Sequence, residues 1–174
     1  GSWSFYKRTL MIAVPIMIQN LITNFVALID NIMVGQVGTE QMTGVAIINQ
    51  ILFVFNLAVF GAVSGSGIFS AQFFGKGDRE GVRHTMRFKL ITAVFICLVG
   101  VVVFVFASDG LINMYLKGED AGLDVAKTFV SAKDYLAIML IGLVPFALEN
   151  VYSSTLREGG IATVPMYAGI AAVV

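Results

Sequence analysis

Apolar residues run along this chain in long blocks separated by short charged connections. Four stretches contain no Asp, Glu, Lys or Arg: Thr9 to Ile29, Gln41 to Gly75, Leu90 to Ser108 and Gly159 to Val174. A helix needs ~20 largely apolar residues to cross the hydrocarbon of a bilayer, and these blocks are of that order. A further crossing reads from about Ser131 to Leu156, with Lys133 and Asp134 at its start and Glu149 inside it. The pattern predicts an all-α, polytopic transmembrane bundle of five helices at about 7–34, 40–74, 85–116, 124–156 and 160–174, the last cut short. All of it reads as one unit over residues 1–174, without a low-complexity linker or a second domain. The first block is not read as a secretory signal, because it outruns the usual apolar region, holds Gln19, Asn20 and Asn24, and lacks a small-residue cleavage site.

Composition agrees with a membrane protein: 57% of residues are hydrophobic and 13% charged, far from the balance of a soluble domain. The net charge of zero gives no bulk attraction to nucleic acid, so none is expected as a partner. The position of the basic residues is more informative. Lys7, Arg8, Lys76, Arg79, Arg83, Arg87, Lys89 and Arg157 fall at one set of helix ends, whereas Lys117, Lys127 and Lys133 fall at the other, with Glu119, Asp120 and Asp124. The excess of positive charge predicts a cytoplasmic N-terminus, and the expected location is the cell membrane, of bacterial type. Cys97 stands alone in the third block and reads as a small packing residue.

The connections are short. "GQVGTEQ" carries two glycines suited to a tight turn, with Thr39 expected to cap the second helix. "FGKGDREGVRHT" is glycine-rich and charged, and places His84 between basic neighbours, where it reads as solvated. Asp124, Lys127, Lys133 and Asp134 lead into the fourth helix. Gly159 and Gly160 end it, and Pro165 falls in the first turns of the fifth.

Polar residues inside the blocks carry the candidate chemistry. At 100° per residue, Gln19, Thr23 and Asp30 of the first helix lie within about 40° of one another, flanked by Asn20, Asn24 and Asn31. Leu21, Phe25, Leu28, Ile29 and Ile32 occupy the other side. Pro15 removes one backbone hydrogen bond near the start. In the second helix Asn49 and Asn56 stand one heptad apart, and Gly61 and Gly65 form a small-xxx-small pair suited to close helix contact. Amides of this kind either join helices through hydrogen bonds or line a cavity. Asp30 is different: a carboxylate in hydrocarbon costs ~3 kcal/mol or more, and Asn would serve a structural role at lower cost, so a functional role is the expectation. Glu149, near Arg157, reads equally as a cavity residue or as a packing residue.

In order along the chain, "AVPIMIQNL", "LIDNIMVGQVGTEQMTGVA", "FSAQFFGKGDRE" and "VPFALENVYSSTLREGGIATVPM" resemble the multidrug and toxic compound extrusion family of secondary transporters. The resemblance implies twelve helices in two lobes and exchange of sodium ions or protons for small organic cations or drugs across the membrane. It also implies that this chain is a partial N-terminal lobe, with a C-terminal lobe of the same protein as its missing partner. The family's helix-one acid falls on Asp30, which makes Asp30 the expected cation-coupling residue, with Na+ as one candidate ion. Gln19, Asn20, Thr23, Asn24, Asn49, Asn56 and Glu149 are the expected cavity lining. A carboxylate in low dielectric alternates readily between protonated and ion-bound states. No organic cofactor and no enzyme activity are expected.

Three other readings stay open at this point. A lipid-linked oligosaccharide flippase of the same superfamily would need intramembrane cations for its phosphates, and the first three helices are expected to bury no Lys or Arg. A helical scaffold or channel subunit would work by oligomerising. An intramembrane enzyme has poor material in one His and one Cys without clustered ligands. A phosphate-binding G-x-x-x-x-G-K-[ST] loop is absent from the sequence, which disfavours an ATP-driven pump.

Overall fold

A computed structural model describes residues 3–117 and 124–173. Five helices follow one another: α1 (Trp3–Gly35), α2 (Thr39–Lys76), α3 (Arg79–Leu116), α4 (Val125–Glu158) and α5 (Thr163–Val173). The first four are long and apolar enough to cross a membrane; α5 is shorter, at 11 residues. There is no strand among the described residues. Glu119 and Asp120, counted above among the charges at one set of helix ends, lie outside the described residues.

Helix ends differ from the sequence reading in several places. α1 begins at Trp3 rather than near residue 7, since nothing from Trp3 to Tyr6 breaks a helix. α3 begins at Arg79 rather than 85, because Asp78 caps it: its carboxylate accepts from the backbone N–H of Glu80 at 3.1 Å and of Gly81 at 3.0 Å. Thr39 is not a cap. It is the first helical residue of α2, and the position before it is Gly38 at φ 150, with no side-chain cap. α5 begins at Thr163 rather than 160, because Gly160 adopts φ 79 and turns the chain out of α4.

The core is a bundle of α2, α3 and α4. Its registers are visible in the buried positions. On α2, Ile48, Leu52, Phe55, Val59, Val63, Ser66 and Ser70 recur at steps of three or four; on α3, Thr85, Lys89, Ala93 and Cys97 recur every four residues, as do Thr128, Ala132 and Leu136 on α4. In lipid there is little hydrophobic drive between helices, so small residues that admit a neighbouring backbone carry the packing. Gly44 does this against α4: a methyl group there would meet the carbonyl of Thr128 and the backbone of Ala132 at 3.0 Å. The ring of Phe55 lies over Gly100, in edge-on contact with Phe104. Gly61 and Gly65, expected at a helix contact, face open space instead, so the close approaches fall to Gly44, Gly67 and Gly100. Buried hydroxyls of Ser66, Thr128 and Thr155 bond back to carbonyls of their own helices. Cys97 packs between α3 and α4, its thiol 3.7 Å from the carbonyl oxygen of Leu143.

One buried charge overturns an expectation. Lys89, counted above among the basic residues at one set of helix ends, is fully buried on α3, and its ammonium lies 2.6 Å from both carboxylate oxygens of Glu158 on α4 and 3.2 Å from the Ser154 hydroxyl. The early start of α3 explains this, since it carries Lys89 three turns into the bundle on the Ala93 and Cys97 stripe. Gly67 on α2 leaves room for the Glu158 carboxylate. At the opposite end, Lys133 pairs with Asp109 and donates to Ser108.

α1 stands at the side of this bundle. It packs against α5 and, less extensively, α2, and Pro15 is its one buried residue. Leu21, Phe25, Leu28 and Ile32 are exposed, as suits a lipid or protein face.

Candidate functional site

α1 lines two cavities, separated along its length. The first, of about 500 Å3, lies where α1 passes α2 and α4, with Asp30 and Asn31 on α1, Asn49 on α2 and Tyr135 and Met139 on α4. The Tyr135 hydroxyl donates to the Asn49 side-chain oxygen at 3.4 Å, a long bond that orients both groups toward the same space. Asp30 itself makes no hydrogen bond or ion pair among the described residues. The cavity thus gathers one carboxylate with amide and phenol groups from three helices, and no Lys, Arg or His is among its lining residues. Such a set, one carboxylate among neutral oxygens, suits a proton or a hard monovalent cation better than a transition metal. No group of three or more His, Cys, Asp or Glu side chains comes together among the described residues.

The second cavity, of about 610 Å3, lies between α1, α4 and α5. Gln19 and Thr23 enter from α1, Phe146, Glu149 and Tyr152 from α4, and Pro165 from α5. Ser153 also lines it, with a buried hydroxyl that finds no partner among the described residues. Gln19 is held in place by Arg157, whose guanidinium donates to its side-chain oxygen at 2.6 Å. Two aromatic rings, Phe146 and Tyr152, and the Glu149 carboxylate thus share one space.

The polar side of α1 is thus divided. Asp30 and Thr23 are seven residues apart, about 10 Å along the axis, and face different partners. Asn49 joins Asp30, whereas Gln19, Thr23 and Glu149 share the other cavity. Asn20, Asn24 and Asn56 are exposed and line neither of the two. Sequence reasoning did not single out Tyr135, because a lone tyrosine on α4 acquires meaning only when α1 and α2 are placed beside it.

Architecture and site together define a multi-pass helical membrane protein with an exposed carboxylate, Asp30, on the wall of a cavity between helices. The MatE family model matches residues 15–174, and the chain belongs to that family. It is 29% identical over 164 residues to a probable multidrug resistance protein NorM of Thermotoga maritima, covering 92% of this chain and 33% of the relative. A protein of the same description from Agrobacterium fabrum is 27% identical over 173 residues, covering 98% and 35%. A third, from Haemophilus ducreyi, is 30% identical over 155 residues, covering 88% and 31%. The chain spans about a third of the length of these curated relatives. No solved structure gives a significant match.

Proposed function

We propose that this chain is the N-terminal part of a secondary active efflux transporter that exchanges sodium ions or protons for organic cations. The observation that carries the reading is Asp30, an unpaired carboxylate facing oxygen donors of α1, α2 and α4 inside a chain of the MatE family. In this reading Asp30 binds the coupling ion, with Asn31, Asn49 and Tyr135 completing its oxygen shell, and the cavity of Glu149 and Tyr152 receives the cargo. Membrane lipid surrounds the exposed face of α1 where the rest of the protein does not. The flippase alternative needs buried cations free to take phosphate, and Lys89 supplies none because Glu158 neutralises it.

The test is transport by the full-length protein in liposomes. A fluorescent organic cation is expected to move when a sodium or proton gradient of the right sign is imposed, and residues 1–174 alone are expected to give no movement. Movement indifferent to both gradients, or transport by the 174-residue chain alone, contradicts the proposal. Movement of a lipid-linked oligosaccharide in place of the dye favours the flippase.

The N-terminus is assigned to the cytoplasm. With Lys89 removed from the eight basic residues of that side, seven remain against three. A cysteine at Gly122 should react with an impermeant reagent on intact cells while one at Gly77 is spared; the opposite pattern inverts the topology.

A further inference from the structure

Away from both cavities of α1, the basic ends of α2 and α3 enclose a groove of about 490 Å3, lined chiefly by Gly65, Phe69, Phe73, His84, Thr85 and Phe88. We propose that this groove holds an anionic phospholipid, with an acyl chain against the phenylalanines and its phosphate at Lys76 and Arg87. The inference does not rest on the transport reading.

The walls specify the chain. Phe69 and Phe88 are largely exposed. The hydroxyls of Ser66 and Thr85, which also face the groove, are already satisfied by Ala62 and Gly81 carbonyls at 2.8 and 2.9 Å. Nothing lies within 4 Å of where a side chain on Gly65 would start, so the groove is open at that point. From Gly65 to Phe73 it runs about 12 Å along α2, long enough for part of an acyl chain.

The charges specify the headgroup. On the α2 wheel Lys76 falls about 20° from Gly65 and 60° from Phe73, which puts it on the groove's own face one turn farther out. On α3 Arg87 falls about 60° from His84 and 100° from Phe88, at the groove's edge. Both long side chains reach a headgroup from there while their stems stay on apolar surface. The exposed charges where α2 ends and α3 begins are Lys76, Arg79, Arg83 and Arg87 against Asp78 and Glu80. Asp78 is occupied in capping α3, and Glu80 lies one turn beyond His84, about 40° from it on the wheel, so the hairpin end keeps two positive charges in excess. The charge-free run of α2 ends at Gly75, so Lys76 stands at headgroup level with the apolar groove directly beneath it. Basic residues so placed attract anionic lipid.

The test is native mass spectrometry of the full-length protein released from nanodiscs holding equal amounts of phosphatidylglycerol and phosphatidylcholine with the same acyl chains. Phosphatidylglycerol should be retained with a preference of at least about five-fold, the strength of one basic residue at an anionic surface. Lys76→Gln with Arg87→Gln should abolish the preference and leave phosphatidylcholine bound. Gly65→Leu fills the groove and removes a helix glycine, so it should lower retention of both lipids with helical circular dichroism unchanged. Equal retention of the two lipids, or retention indifferent to Gly65→Leu, overturns the proposal. So does displacement of the lipid by glycerol phosphate, which would mark a free phosphate site, or crosslinking of Phe88 positions between two copies, which would mark a dimer contact.

Discussion

Asp30→Asn in the full-length protein is expected to leave folding and membrane insertion intact and to lower gradient-driven dye transport roughly 10- to 150-fold. Folding survives because the carboxylate has no partner among the described residues that the amide would abandon, and because Asn keeps the shape. Transport falls because the substitution removes the one negative charge from the cavity of Asn31, Asn49 and Tyr135. A hydrogen bond or ligand contact to a charged group contributes about 1.5–3 kcal/mol, which sets the range. Tyr135→Phe, which removes a neutral oxygen, is expected to cost less than Asp30→Asn. The measurement is initial dye flux against sodium and proton concentration at matched protein amounts. If the Asp30→Asn variant transports with the parent's dependence on both ions, Asp30 is not the coupling residue.

Lys89→Met is expected to destabilise the bundle by about 3–5 kcal/mol, the cost of leaving one member of a buried ion pair unpaired. The lysine side chain is 0% exposed and that of Glu158 14%, so water can relieve the orphaned carboxylate only in part. Ser154 remains as a donor, but a hydroxyl does not replace an ammonium bound to both carboxylate oxygens. The double variant Lys89→Met with Glu158→Leu should recover most of the loss, because apolar residues can replace such a pair with little penalty. Thermal or denaturant unfolding of the purified protein reads both. A double variant no more stable than the single one would show that the loss does not come from the orphaned charge.

Much of this fold is written in residue type. The charge-free blocks announce the helices because a bilayer tolerates little else, and Asp30 is conspicuous there because its cost is so high. The glycines mislead for a different reason: Gly61 and Gly65 satisfy the spacing for close contact, yet spacing does not say which side of α2 meets α4. That side is fixed by the whole buried stripe through Ile48, Leu52 and Phe55, and Gly44 lies with it. Lys89 was legible in part. Its four-residue spacing from Thr85 and Ala93 sets it on the buried stripe of α3, but its partner Glu158 is 69 residues away, and no local pattern links the two. Tyr135 and the division of the polar residues of α1 between two cavities belong to tertiary placement alone.

The ion pair of Lys89 and Glu158 also has a history within each molecule. Lys89 is synthesised 69 residues before Glu158, so at about 5–20 residues per second its ammonium waits roughly 3 to 14 s for its counter-charge. During that interval α3 has left the ribosome with an uncompensated cation near one end, and the lysine must reach for the headgroups or for water. The α2 and α3 hairpin is then a provisional insertion, seated deeply only when the last turn of α4 emerges and delivers Glu158. A chain stalled before residue 158 is therefore expected to hold α3 shallower in the bilayer than the finished protein does, with Lys89 still at the headgroups.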